Sequence, residues 1–310
     1  MGIKMGYALD QNGVEWDAQV YQKGQGAEPL KCEHCGVNVT HNPPYPKEIY
    51  DKPVLVSGYF RLYPKRPHSE GCRFGIDNEV IEIAKTSDGL IESLRNNRYR
   101  MRLVMIKEAL EEASKSRSNG GGENRAGTGK TYASSSGRLP AYINSAKRAL
   151  KLRAACTDDQ DLQEHLELVF EGNVNVAWSR FYFEAERHME AFHAVSQNTV
   201  QHPIAIQGRV KDVRYAIQGV ESKNVINLLM NRFRADSEDP ANGIGLEVSI
   251  WASDPSWFKG IERDNEILVL GMWRANTKAP TPAPPGGRYK TFTTRRLTLT
   301  LVLKTQVSKV

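Results

Sequence analysis

The sequence predicts a multidomain α+β chain: a small loop-rich module, a helical middle region, and a C-terminal five-stranded β-barrel. Three observations predict it. Cysteine and histidine recur with ligand spacing near the start, an apolar period of about 3.6 runs through the middle, and the period drops to two after Pro203. The boundaries read from these changes are a module over 1–77, helices over 78–113, a flexible linker over 114–138, helices again over 139–200, and a barrel over 201–310.

The module is defined by Cys32, Cys35, His68 and Cys72. LKCEHCG carries a C-x-x-C pair, and KRPHSEGC carries H-x-x-x-C after an excursion punctuated by Pro43, Pro44, Pro46 and Gly58. A C-x-x-C turn aims two thiolates at one point, and a second short-spaced pair supplies the other corners of the tetrahedron that zinc prefers. A structural zinc ion is therefore expected. The fourth cysteine, Cys156, is expected to be a buried or free thiol, and so few cysteines point to a reducing, cytoplasmic setting.

The strings CEHCGVNV and SGYFRLYPKRPHSEGC resemble the N-terminal zinc-binding module of the competence-associated CoiA-like proteins, over residues 28–76. In that family the module precedes a metal-dependent nuclease domain. Its E-x-K pattern has no counterpart here, because Leu246-Glu247-Val248-Ser249 places serine where lysine is needed. The resemblance thus implies the module but not the nuclease.

The middle region reads as helices broken near Asp88 and Gly89, with Ile91, Leu94, Met101, Val104, Met105 and Ala109 giving the period. Leu150, Leu152, Leu162, Leu166, Val169 and Phe170 mark later helices, and Trp178, Phe181, Tyr182, Ala185 and Met189 mark the last. His188 and His193 lie five apart and so on different helix faces, which argues for a charged surface over an aromatic stripe rather than a metal pair. Between the helical stretches, 114–138 holds six glycines and few large apolar side chains, too few to offset the entropy of ordering. It contains AGTGKT, but a phosphate loop needs glycine where Asn124 stands, with a strand before and a helix after.

In the C-terminal region, Ile204, Ile206, Val210 and Val213 alternate, as do Leu246, Val248 and Ile250, and then Leu297, Leu299, Leu301 and Leu303. NVINLLMNR and EILVLGMWR complete five strands. Gly208 offers a bulge by which one long strand serves both halves of a barrel. The order of three strands, a short segment, a strand, a long loop and a last strand is that of an OB-fold. FKGIERDNEILVLGMW also resembles a segment of bacterial single-stranded-DNA-binding proteins.

Charge agrees with such a partner. Sixteen Lys and Arg against ten Asp and Glu lie from Pro203 to Val310, so the chain's whole net charge of +6 falls there. Cationic side chains bind phosphates and aromatic rings stack on unpaired bases. The candidates are Arg209, Lys211, Arg214, Arg232, Arg234, Lys259 and Arg274, with Trp251 and Trp273 on later strands. Arg288, Tyr289 and Lys290 close the loop Thr277 to Thr291, which holds the position by which OB-folds commonly grip oligonucleotides. Alternation with Leu246, Val248 and Ile250 turns Trp251 away from the core, whereas Trp273 shares the parity of Ile267, Val269 and Gly271.

The expected function is non-enzymatic binding of single-stranded nucleic acid, DNA ahead of RNA, with the zinc module or helices free to dock a protein. No acid–base, nucleophile or phosphate-loop set assembles. A metal-dependent nuclease and a protein-binding scaffold are the alternatives. No apolar run is long enough to span a membrane.

Overall fold

The computed structural model describes residues 3–49, 52–63, 66–96, 98–118, 138–156, 159–217, 224–230 and 233–310. It is a mixed α+β protein dominated by sheet, with six α-helices among the described residues. The chain forms two compact units, one from Met1–Arg102 with Asn144–Trp178, the other from Leu103–Ile143 with Ser179–Val310.

The first unit opens with seven short strands: β1 (Tyr7–Leu9), β2 (Glu15–Asp17), β3 (Leu30–Lys31), β4 (Asn38–Asn42), β5 (Tyr45–Ile49), β6 (Lys52–Val56) and β7 (Tyr59–Leu62). β5 and β6 form a separate hairpin, while the rest make a sheet in the order β2-β1-β3-β4-β7. Met5, Ala8, Tyr21, Leu30, Val39 and Phe60 form its core together with Cys32 and Cys72. Tyr21 meets Trp16, His41 and Phe60 edge-on, with centroids 5.0 to 5.7 Å apart. Gly58 is required by close approach, because a Cβ there would stand 2.3 Å from the Ala18 carbonyl oxygen.

The next stretch departs from the helical expectation. Helix α1 (Ile76–Lys85) buries Ile76, Val80 and Ile83 on one face and ends just before the positive-φ pair Asp88 and Gly89. Strands β8 (Ile91–Ser93) and β9 (Tyr99–Arg102) follow, then helices α2 (Leu103–Ser118), α3 (Leu139–Ala155) and α4 (Asp159–Gln163), and strands β10 (Leu166–Phe170) and β11 (Val174–Val176). Ile91 and Met101 are opposite partners in an antiparallel ladder, not neighbours on a helix. Short apolar runs such as LELVF fit either period, and here parallel pairing with β9 settles β10 as a strand. Helix α2 extends five residues into the presumed linker, while 119–137, including AGTGKT, lie outside the described residues. Cys156 is buried and in no disulfide.

The second unit carries helix α5 (Trp178–Phe181), strand β12 (Tyr182–Phe183) and helix α6 (His188–Ser196) ahead of a large sheet. Its strands are β13 (Ile204–Arg214), β14 (Asn224–Leu228), β15 (Arg234–Ala235), β16 (Asn242–Ala252), β17 (Glu266–Gly271), β18 (Arg274–Thr277), β19 (Thr281–Pro282), β20 (Thr291–Thr300) and β21 (Val307–Lys309). The hydrogen-bonded order is β18-β20-β16-β14-β13-β17-β21, with β12, β15 and β19 flanking β13, β16 and β20. This ten-stranded ladder does not close on itself, so the five-stranded barrel expected from the sequence is replaced by an open sheet. The break falls at Met272 and Trp273, between β17 and β18. Strand β13 does serve two partners, β17 through Ile204–Arg209 and β14 through Val210–Arg214. The irregularity lies between Val210 and Asp212, not at Gly208, which pairs with Ile267 in an unbroken ladder. Ile206, Val210, Ile226, Val248, Ile250, Leu297 and Leu299 fill the core.

Helix α6 contributes Ala191 and Phe192 to that core and seats His188 at 1% exposure, its Nε2 2.7 Å from the Gln207 carbonyl oxygen. Burial pushes the His188 pKa down to about 4, against the upward pull of that hydrogen bond and of Glu186. The fold therefore holds the ring neutral. Its contribution to stability is whole above the unfolded value of about 6.5 and is lost as pH falls through about 4. Denaturant unfolding should find the wild type about 2 kcal/mol less stable near pH 5 than near pH 7.5 on this account. His188→Gln, which keeps a donor for Gln207, should lack that component. Equal pH dependence in both proteins would show that His188 is not responsible.

No helix among the described residues is long and apolar enough to cross a membrane.

Candidate functional site

The hairpin β3–β4 is closed by the first knuckle. Leu30 pairs with Val39 and Lys31 with Asn38, so Cys32 leaves the sheet at once and Cys35 returns toward it. The Gly36 N–H donates to the Cys32 carbonyl at 2.9 Å, and Gly36 takes a φ of 72° that disfavours a side chain. The second knuckle sits between β7 and α1. Gly71 takes a φ of 76°, and the Cys72 carbonyl accepts from Gly75 N–H at 2.9 Å and from Asn78 Nδ2 at 3.1 Å. Each ligand pair, Cys32 with Cys35 and His68 with Cys72, thus has a left-handed glycine beside a cysteine and hydrogen bonds to a cysteine carbonyl.

The four donor atoms converge. Cys32 Sγ is 3.9 Å from Cys72 Sγ, and His68 Nδ1 is 3.3 Å from Cys35 Sγ and 3.4 Å from Cys72 Sγ; all four lie within 4.8 Å of one another. Thiolates about 2.3 Å from a tetrahedral ion stand roughly 3.8 Å apart, so the spacing fits a single metal. None of the three thiols is in a disulfide. Desolvation raises the Cys32 pKa and pushes that of Cys72 up to about 12. For Cys35, desolvation is outweighed by bonds with the backbone of Val37 and Ser69, and its pKa falls. Burial lowers that of His68. Three thiols and an imidazole gathered half out of water form a group that can hold a metal ion, and the donor set is compatible with zinc. Phe74 packs near His68, with ring centroids 6.0 Å apart, and Arg73 lies over Phe74 while pairing with Glu33.

In the second unit, register sorts the proposed polynucleotide contacts. Arg214, Val225, Trp251 and Thr300 form one row across β13, β14, β16 and β20. The adjacent row, Val213, Ile226, Ile250 and Leu299, packs in or against the core, so the Trp251 row faces the other way. Trp251 is half-buried and Arg214 exposed. The same side of the sheet continues with Asp212, buried Asn227 and Ser249, Thr298 and exposed Arg274, then with Glu247 and Arg296. Glu247 is engaged by Arg296 at 2.9 Å and Lys278 at 3.9 Å, a surface ion-pair group.

Two aromatic candidates are corrected. Trp273 is 7% exposed and belongs to the core, its indole N–H donating to the Ile204 carbonyl at 3.2 Å. Its parity with Ile267 and Val269 carries past the end of β17 at Gly271. Tyr289 is 8% exposed and its hydroxyl donates to the Phe233 carbonyl, so it braces the loop. Arg288 and Lys290 beside it are exposed, as are Lys211, Arg234 and Lys259; Arg209 is half-buried opposite Glu266. Arg232 lies outside the described residues.

The sequence reading missed Phe233 and Phe292. Outward positions Gly243 and Gly245 on β16 carry no side chain, and the vacated space holds rings: a Cβ at Gly245 would stand 2.6 Å from Phe233, and one at Gly243 2.7 Å from Tyr289. Phe233 and Phe292 meet at a tilt of 53°, their ring centroids 4.5 Å apart. The signal was present in NGIGLE, where glycine repeats at one parity. Compared with known proteins, the chain matches no family model and no curated protein.

Proposed function

We propose that this chain is a non-enzymatic protein that binds single-stranded nucleic acid, DNA ahead of RNA, through an OB-like region, with a structural zinc ion holding its N-terminal module. The zinc reading rests on three thiols and one imidazole filling all four tetrahedral positions; a catalytic site would leave one open for water.

The OB-like reading draws support from pairing order. β13 pairs with β14 and β17, β14 with β16, and β16 runs parallel to β20. β17 leads across two residues into β18, which pairs with the far edge of β20. Counted as five strands, with β17 and β18 as one bent at Trp273, this order resembles the partly open Greek-key arrangement of an OB-fold, which supports the reading.

The observation that carries the function is the row in which Trp251 and Arg214 flank Val225, on the side of the sheet turned from the core, in a region that holds the entire net positive charge. A half-exposed ring supplies a stacking surface that accepts any base, and arginines neutralise phosphates and release counterions. Titration of the full chain with single-stranded DNA, duplex DNA and RNA at several salt concentrations tests this. Single strands should bind best, with affinity falling on a log-log slope of roughly −0.7 per phosphate neutralised. Arg214→Ala with Arg274→Ala should lower that slope by about 1 to 1.5. Affinity that does not change with salt would overturn the reading.

A further inference from the structure

Helix α6 buries Ala191 and Phe192 against the core, but toward β15 and β16 it leaves a cavity of about 400 Å³. Met189, Met230, Ile244 and Leu246 give it apolar walls. Into this cavity faces Arg295, which register places beside Leu246, on the side of β20 that carries Leu297 and Leu299 into the core. A guanidinium in such a position needs compensation for lost water. Its contacts here are all neutral. Nη1 lies 3.2 Å from His193 Nε2 and 3.5 Å from Met189 Sδ, and the guanidinium carbon is 5.6 Å from the Phe192 ring centroid. Burial and the Arg295 charge both lower the His193 pKa, so the imidazole accepts from the arginine without balancing it. No carboxylate pairs with Arg295 among the described residues, although Glu186 and Asp236 line the cavity.

We propose that this cavity binds a nucleotide, its phosphate on Arg295 and its base between the methionine walls. The volume falls in the range of small-molecule sites. A planar guanidinium held by helix α6 suits a phosphate in bidentate geometry. Methionine side chains adapt to a flat ring, and carboxylates accept from exocyclic amino or sugar hydroxyl groups. A cation, acceptors and apolar walls in one cavity match a ligand that carries all three complements. The inference does not rest on the strand-binding reading, because Arg295 and Trp251 have opposite parity on the same ladder. A free nucleotide and the phosphorylated end of a strand share this chemistry.

Calorimetric titration of the full chain with deoxyadenosine 5′-monophosphate, with deoxyadenosine, and with a short oligonucleotide with or without a 5′-phosphate tests it. The monophosphate should bind and the nucleoside should not, if the ligand is free; a gain confined to the phosphorylated oligonucleotide marks a strand end. Arg295→Met should weaken whichever ligand binds by at least about tenfold, leaving affinity for the unphosphorylated strand unchanged. Met230→Trp, which fills the cavity and keeps the arginine, should also abolish it. Absence of any phosphate-dependent binding to the wild type, or wild-type affinity in both variants, would overturn the proposal.

Discussion

Replacing Cys72 by serine is expected to release about one metal ion per chain and to unfold residues 28 to 76. Cys32 and Cys72 are each 1% exposed and belong to the same core as Phe60, Leu30 and Val39, so metal and apolar packing are lost together. Structural zinc in small modules contributes apparent binding energies of roughly 10–16 kcal/mol, which is folding energy for the segment that holds it. The strands flanking the site are two to five residues long and cannot make up that loss. Elemental analysis of the purified wild type and variant, with circular dichroism and limited proteolysis, checks it. A wild-type chain without stoichiometric metal, or a variant that resists proteolysis across 28–76, would refute the structural role. The second unit should keep its melting transition, since its core contains none of these residues.

The two tryptophans of the sheet should respond in opposite ways. Trp273→Ala removes a ring of the core cluster that includes Ile204, Val269 and Leu299 and leaves the Ile204 carbonyl without its indole donor, so a stability loss of about 3–5 kcal/mol is expected. Any loss of strand affinity should then follow unfolding. Trp251→Ala removes a half-exposed ring, and strand binding should weaken by about 1–3 kcal/mol with the salt slope nearly unchanged. Denaturant melts run beside binding titrations separate the cases. A Trp251→Ala protein that stays folded and binds as wild type would remove the outward face of β16 from the site.

The cysteine–histidine cluster was legible because its geometry is local: a C-x-x-C turn and an H-x-x-x-C segment carry their own backbone constraints, and only their meeting is tertiary. Strand parity was also legible where alternation was clean, as at Leu246, Val248 and Ile250 beside Trp251. What could not be read was pairing. Ile91 and Met101 fitted a helical period and turned out to face each other across two strands, and LELVF became a strand because β9 lay beside it. Trp273 and Tyr289 failed as surface candidates for a related reason. Each is basic-flanked in sequence, by Arg274 or by Arg288 and Lys290, and flanking charge says nothing about which way the ring turns. Phe233 gave no signal of its own; the space it fills is made by Gly245, twelve residues later.

The parallel ladder between β16 and β20 also governs the order in which the second unit is able to form. Ten residue pairs join Asn242–Trp251 to Thr291–Thr300, a constant separation of 49 residues. By contrast, β13, β14 and β16 join through antiparallel ladders between strands close together along the chain, with only the two-residue β15 between β14 and β16. Closing a long loop costs entropy before any contact rewards it, and sheets that depend on distant segments form slowly. During synthesis the strand that seals β16 leaves the ribosome 49 residues after it. Until then the N–H and C=O groups along one edge of β16 have no strand beside them, open to pairing with another chain.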